Sequence, residues 1–184
     1  MNRAPTFHFT QFNTPMGGFS VAVDSAGAVA ATAFGDADAL LGRLRRAALV
    51  RDTRRTAAAR EQIEAWFRGG RRDFSIEISP AGTAFQRRVW DATRRIPFGQ
   101  TRSYGEVARI VGSSARAVGR ANATNPICLI VPCHRVVGSD GSLTGYAFGQ
   151  DTKRRLLDFE AAGGRPGHRF MALCTATTKA LSFA

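Results

Sequence analysis

Alternation of apolar and polar positions marks the first part of the chain. Residues 19–23 and 28–34 flank an Asp24-Ser25-Ala26-Gly27 turn and predict a β-hairpin. The period then lengthens. Residues 37–50 and 56–67 predict helices, the second with Ile63, Trp66 and Phe67 on one side and Gly69-Gly70 at its end. Residues 74–78 alternate again as a strand. Residues 1–78 are therefore expected to form a small α/β domain, with Ser79-Pro80-Ala81-Gly82 as the linker.

Beyond the linker the pattern is helical. Thr83 suits the N-cap of a helix whose apolar face is Phe85, Val89, Ala92 and Ile96, and Pro97-Phe98-Gly99 ends it. Tyr104, Val107, Ala108 and Val111 follow the i, i+3, i+4, i+7 spacing of a second helix, with Gly112 at its C-terminal cap. Ser113 or Ser114 caps a third, with Ala117, Val118 and Ala121 inward and Arg116, Gly119, Arg120 and Ala123 outward. The last two form a helix-turn-helix candidate, a pattern that ordinary helix packing also produces. Residues 127–131 read as a buried strand stopped by Pro132. Asp151 caps a final helix through Glu160, closed by Gly163-Gly164, and residues 165–184 have no period and are expected to be a loosely ordered tail. The expected fold is α/β in the α+β sense: a hairpin-and-helix domain, then a mostly helical domain over residues 79–164.

Composition narrows the function classes. At 184 residues the chain can bury one core, or one core with a small N-terminal domain. No apolar run approaches the roughly 18–20 residues of a membrane span. Residues 1–12 lack a continuous apolar stretch before a cleavage site, so a cytoplasmic protein without membrane association is expected. The formal net charge is +12, and twelve basic but only four acidic residues fall between Thr83 and Arg155. Such clustering is the footprint of a nucleic-acid binder. A genomic bias toward Arg explains the residue type but not its placement.

Cys128, Cys133 and Cys174 form no CxxC pair and no Cys/His cluster at metal-ligand spacing. Neither a metal nor a disulfide framework is expected. Cys133 stands beside His134, and a thiol becomes a nucleophile as thiolate when an imidazole or a positive field lowers its pKa. Neighbours in a strand point apart, so the two meet only through a tight turn or a bridging water. Glu160 lies one turn beyond Leu156 and Leu157 and leans inward, where its carboxylate needs a partner. A Cys133–His134–Glu160 relay satisfies all three groups. Residue types alone leave a second reading open, in which Cys133 is a small buried filler and Glu160 merely ends an amphipathic helix.

The run Asn125-Pro126-Ile127-Cys128-Leu129-Ile130-Val131-Pro132-Cys133-His134-Arg135-Val136-Val137 resembles the active-site signature of the O6-alkylguanine-DNA alkyltransferases. Separate stretches extend the match in family order: 82–90, 96–105, 115–119, 143–146 and the helix ending at Glu160. The resemblance covers about residues 74–160 and is looser before them. It implies direct-reversal DNA repair, with one irreversible transfer of an alkyl group from O6-alkylguanine to Cys133, and leaves activity on O4-alkylthymine open. His134 would deprotonate the thiol through water, with Glu160 holding the imidazole. Asn125 would be the hinge asparagine, and Tyr104 would donate to guanine N3 as the base leaves. Arg116 would fill the stack vacated by the flipped nucleotide. Ala117, Gly119, Arg120 and Ala123 of the same helix, with Thr83, Arg102 and Ser103, would meet the DNA. Tyr104, Val136, Tyr146, Ala147 and Phe148 would line the substrate pocket.

The resemblance further implies a monomer that acts once on double-stranded DNA with no cofactor, leaving cooperative assembly along the duplex open. Two features depart from the family pattern. The turn before Arg116 (Gly112-Ser113-Ser114-Ala115) is about two residues short and lacks a proline. Ala147 replaces a frequent Ser, and Phe148 beside it is expected to narrow the pocket. A lesion binder without chemistry would lack Cys133. A Cys–His–Glu hydrolase would need an oxyanion hole, which no motif marks.

Overall fold

The longest strand among the described residues is one the hydrophobic pattern did not announce. In a computed structural model that describes residues 4–44 and 46–165, β1 (Thr6–Thr14) turns through Pro15-Met16 into β2 (Gly17–Val23), and β3 (Val29–Phe34) follows. Pairing is antiparallel from β1 to β2 and from β2 to β3, which bears out the predicted hairpin. The expected tail lies outside the described residues after Arg165, as does Cys174.

The helix expected over 37–50 is corrected. Only α1 (Ala37–Leu41) is helical, capped by Asp36, whose side chain accepts from the Asp38 and Ala39 N–H groups. The chain then turns and enters β4 (Ala48–Arg51), which runs parallel to β1 and completes a sheet of order β3-β2-β1-β4. Local periodicity favoured helix, but the free edge of β1 offered backbone partners that no local pattern reveals. The strand expected at 74–78 is likewise reduced to an extended segment. It is held at one end, where the Val29 N–H donates to Glu77 O and the Ser79 N–H to Val29 O.

Residues 127–131 are buried but do not form the expected strand. Leu129 takes φ 72°, and the Val131 N–H folds back to Ile127 O, so the run is a tight turn. Its start covers the edge of β3 through Thr32 N–H to Pro126 O (2.9 Å). This places the segment inside the largest apolar cluster. Phe12, Phe19, Val21 and Val23 of the sheet meet Ile63, Trp66 and Phe67 of α2 (Ala57–Phe67), Trp90 of α3 (Ala84–Arg94) and Leu156 and Phe159 of α6 (Gln150–Ala161). The cluster is continuous across the predicted linker. Each such large side chain contributes about 1.5–3 kcal/mol by leaving water.

The helices around the linker obey their local signals. Thr83 caps α3 in a capping box with Gln86. A Cβ at Gly82 would lie 2.5 Å from the Trp90 ring, so only glycine fits there. α4 (Tyr104–Val111) starts at Ser103 with a second capping box to Glu106 and ends at Gly112 in the left-handed conformation (φ 65°). α5 (Ala115–Ala123) is capped by Ser114. Val107, Ala108, Val118 and Ala121 pack the pair on Val89, Ala92 and Ile96 of α3 and its end.

Candidate functional site

After Pro132 the backbone makes one 3-10 turn, Cys133–Arg135, closed by Arg135 N–H to Pro132 O (2.9 Å). The turn gives three consecutive residues two destinations. Cys133 faces a cavity, while His134 and Arg135 reach Glu160 of α6. Directly after the turn, β6 (Val136–Val137) pairs in parallel with β5 (Arg102–Ser103). That short ladder fixes the start of α4 against the turn and sets Tyr104 on the wall of the same cavity.

Asn125 organises the thiol. Its Nδ2 donates to Val131 O (2.9 Å) and approaches Cys133 Sγ (3.2 Å), and its Oδ1 accepts from the Ile127 N–H (3.0 Å). Burial pushes the Cys133 thiol above its ordinary 9.0, opposed by the Asn125 contact and the positive charges of Lys153 and Arg43. Cys128 is different. It contacts Thr32, and burial pushes it to about 12, as suits a packed, inert thiol.

Glu160 is buried, as its place one turn from Leu156 predicts, and it serves three partners. His134 Nε2 lies 2.9 Å from Oε1, the Arg135 guanidinium donates through Nε and Nη2, and the Gly99 N–H donates to Oε2 (3.0 Å). Burial acts to raise its pKa, but His134 and Arg135 override this and hold it at about 2. An ionised carboxylate only accepts, so the His134 proton sits on Nε2 and the Nδ1 lone pair is the free end. Nδ1 is buried and has no partner among the described residues. Burial lowers the pKa of His134 from 6.5 despite Glu160, so the ring rests neutral and ready to accept a proton.

These shifts predict the acid limit of the fold. A folded pKa below the unfolded one means that the unfolded chain binds more protons, so stability is lost as pH falls. For His134 the loss begins below its ordinary 6.5, and for Glu160 it runs from 4.5 down to about 2. Thermal unfolding followed by circular dichroism should show a midpoint that declines from pH 7 to pH 5 and again below pH 4.5. His134→Gln should flatten the first decline. An equal decline in that variant would rule His134 out as its source.

The cavity has a volume of about 530 Å³. It brings together the predicted Tyr104, Gly119, Ala123, Cys133, Tyr146 and Ala147, with Ala115, Asn122, Thr144 and Gly145 in addition. Arg116 and Arg120 are exposed on α5, and Ala117 is half-buried. Thr83 is exposed at the α3 cap, Arg102 is exposed and pairs with Glu106, and Ser103 caps α4. Two predicted pocket residues lie elsewhere. Val136 is buried in the cluster of Val89, Val107 and Val118. Phe148 does not line the cavity: its ring packs on Phe34 (5.3 Å) and Tyr146 (5.7 Å) under the Arg43 guanidinium (4.5 Å). Aromatic neighbours at the base of the sheet won the ring that local order alone assigned to the pocket.

Sequence reasoning missed Arg135 as a partner of Glu160, Lys153, Arg43 and the cavity-lining Asn122. Arg135 had a legible signal, since a guanidinium beside His134 shares its turn and competes for the same carboxylate. Lys153 had one too, for it stands three and four positions before Leu156 and Leu157, on the same inward stripe as Glu160. Among the described residues no group of His, Cys, Asp and Glu could hold a metal ion, and no helix is long and apolar enough to cross a membrane.

Fold and site define a class: α+β proteins with a buried cysteine, next to a histidine–glutamate pair, facing a cavity walled by two short helices. Residues 84–162 match the family model "6-O-methylguanine DNA methyltransferase, DNA binding domain", and a methylated-DNA–protein-cysteine methyltransferase of Methanosarcina acetivorans is 51% identical over 106 residues, 56% of this chain and 68% of that protein. The chain belongs to the methylated-DNA–protein-cysteine methyltransferase family. A relative of the same name from Mycolicibacterium paratuberculosis is 54% identical over 106 residues, 56% of this chain and 64% of the other. The crystal structure of Mycobacterium tuberculosis OGT in complex with DNA superposes with a TM-score of 0.76 at 39% identity, over 85% of this chain and 94% of that one.

Proposed function

We propose that this chain repairs double-stranded DNA by moving the alkyl group of O6-alkylguanine onto Cys133, once per molecule. The observation that carries the reading is the position of Cys133 on a 530 Å³ cavity whose wall is α5, with Arg116 and Arg120 exposed on that same helix. The O6 atom of a stacked guanine is closed to in-line attack, so the nucleotide must leave the stack, and a poorly paired damaged base does so at least cost. α5 presents Ala115, Gly119 and Ala123 to the cavity, small residues that let a backbone approach closely, while its arginines meet phosphate or occupy the gap.

The chemistry follows from the relay. The Cys133 proton passes to His134 Nδ1 through a water, and the imidazolium is balanced by Glu160. The sulfur forms a bond to the alkyl carbon as the carbon–O6 bond breaks. The electron pair stays on guanine, whose N3 takes the Tyr104 proton, and the proton that left Cys133 passes from His134 to solvent, which reprotonates Tyr104. The thioether has no route back, which makes the reaction stoichiometric. Phosphate contacts make binding weaken with salt. Incubation with a duplex containing O6-methylguanine should leave one methyl on the Cys133 peptide by mass spectrometry. Absence of the adduct, or turnover beyond one equivalent, would refute the reading.

Phe148 acts on alkyl size from outside the cavity. Its ring buttresses Tyr146, which does line the cavity, so Phe148→Gly should loosen that wall. Benzyl relative to methyl transfer should rise by roughly tenfold, the scale of discrimination in an apolar pocket. Competition between O6-benzyl and O6-methyl substrates measures it, and an unchanged ratio discards the role.

A further inference from the structure

The 3-10 turn serves two cavities. Cys133 lines the one described above, and Arg135, two residues on, lines a second of about 140 Å³ that shares no residue with it. Four arginines, Arg72, Arg94, Arg95 and Arg135, reach this second lining, against one carboxylate, Asp73. They come from three places in the chain: the segment after α2, the end of α3 and the turn itself.

Not all of their donors are spent. Arg94 donates from Nη2 to the Phe74 and Ile76 carbonyls (both 3.3 Å). Arg135 gives Nε and Nη2 to Glu160 and Nη1 to Ile96 O (2.6 Å). A guanidinium carries five N–H groups. The second N–H of Nη1 and that of Nη2 have no partner among the described residues, although the Arg135 side chain is only 6% exposed. A buried donor without an acceptor is costly. Arg72 and Arg95 are exposed and form no ion pair among the described residues, and Arg72 and Arg135 both neighbour the Phe98 ring (5.7 and 5.8 Å).

Charges of one sign on a concave, partly apolar wall focus their potential into it, and the guanidinium fork matches the oxygens of phosphate. The size limits the occupant. Pockets for larger organic ligands run to roughly 300–1,000 Å³, so this one suits a single small oxyanion.

We propose that the cavity is a second, anion-binding site that takes one phosphate group, free or on a nucleic-acid backbone, on Arg72, Arg95 and the spare N–H groups of Arg135. Even with Asp73 on the lining and Glu160 balancing Arg135, the surplus charge is positive. Occupancy also reaches the relay. The Arg135 charge acts against protonation of His134. An oxyanion on the same guanidinium offsets it, so His134 takes the Cys133 proton more readily. This coupling rests on the relay proposed above, whereas the binding does not.

Isothermal titration of the full chain with inorganic phosphate, in chloride buffer of matched ionic strength, should give one saturable site. Arg72→Ala and Arg95→Ala should each weaken it by about tenfold, the scale of one charge-assisted hydrogen bond. Arg154→Ala, an exposed arginine of α6 away from the cavity, should leave it unchanged. Heat no greater than that of added chloride, or phosphate binding unaltered in both cavity variants, overturns the site. A lesion-free duplex separates the two sources. A backbone occupant is displaced with phosphate release into the titration and its binding weakens in the two variants, while a free-phosphate site leaves duplex binding the same in both. Saturating phosphate should also speed carbamidomethylation of Cys133 by iodoacetamide at fixed pH, followed by peptide mapping, and less so in Arg72→Ala. A wild-type rate that does not move overturns the coupling through Arg135.

Discussion

Glu160→Gln should lower the stability of the fold by about 3–5 kcal/mol, the cost of leaving one member of a buried charge pair without its partner. The carboxylate holds the Arg135 guanidinium by short hydrogen bonds from Nε (2.9 Å) and Nη2 (2.8 Å), and both residues are buried. An amide can accept one of these bonds but cannot balance the charge. The melting midpoint should fall by roughly 6–20 °C in a chain of this size. Transfer should slow as well, by about 10²–10⁴-fold, because the imidazole loses the anion that fixes its tautomer and balances its proton. Single-turnover rates on an O6-methylguanine duplex, measured below the melting range of the variant, separate the two effects. A variant that melts within a degree of wild type would sink the ion-pair account, and a wild-type rate would remove Glu160 from the relay.

Cys133→Ser should abolish transfer while leaving DNA binding and folding intact. A serine hydroxyl ionises far less readily than a thiol, so the nucleophile is absent at any working pH. The replacement is smaller but can still accept from Asn125 Nδ2, now 3.2 Å from the sulfur, so the turn should persist. Cys128 offers no substitute, since burial holds it protonated to about 12 and it packs against Thr32. Fluorescence anisotropy with a lesion-containing duplex should give binding close to wild type, and mass spectrometry should find no methylated peptide. A methyl group appearing on any other residue would overturn the assignment of Cys133.

The local signals in this sequence are strong where the interactions they encode are local. The capping boxes at Thr83 and Ser103 and the left-handed Gly112 place α3 and α4 almost to the residue, because donor and acceptor are three positions apart. The inward lean of Glu160 followed from helical spacing alone. Cys133 and His134 could meet only through a tight turn or a water, and the 3-10 turn at Cys133–Arg135 is what lets them serve one site.

Other features depended on partners distant in the chain. β4 exists because β1 lacks a neighbour on that side, so residues 48–51 pair with residues 6–9 against their own helical spacing. Residues 127–131 turn instead of extending because Thr32 captures the Pro126 carbonyl and Leu129 reverses the chain. Phe148 left the pocket for Phe34 and Arg43, more than a hundred positions away.

The sequence by itself determined the helices of the second half, the acceptor-like Cys133-His134 pair and the family they signal, since each is written in spacings of a few residues. Only the tertiary structure decided which groups share the site's charge. Arg135 bonds to both oxygens of Glu160, and Lys153 is buried against the carbonyls of Val136 and Thr144 with no carboxylate partner among the described residues. Electrostatic balance is set by distance and burial, and neither is encoded until the chain has folded.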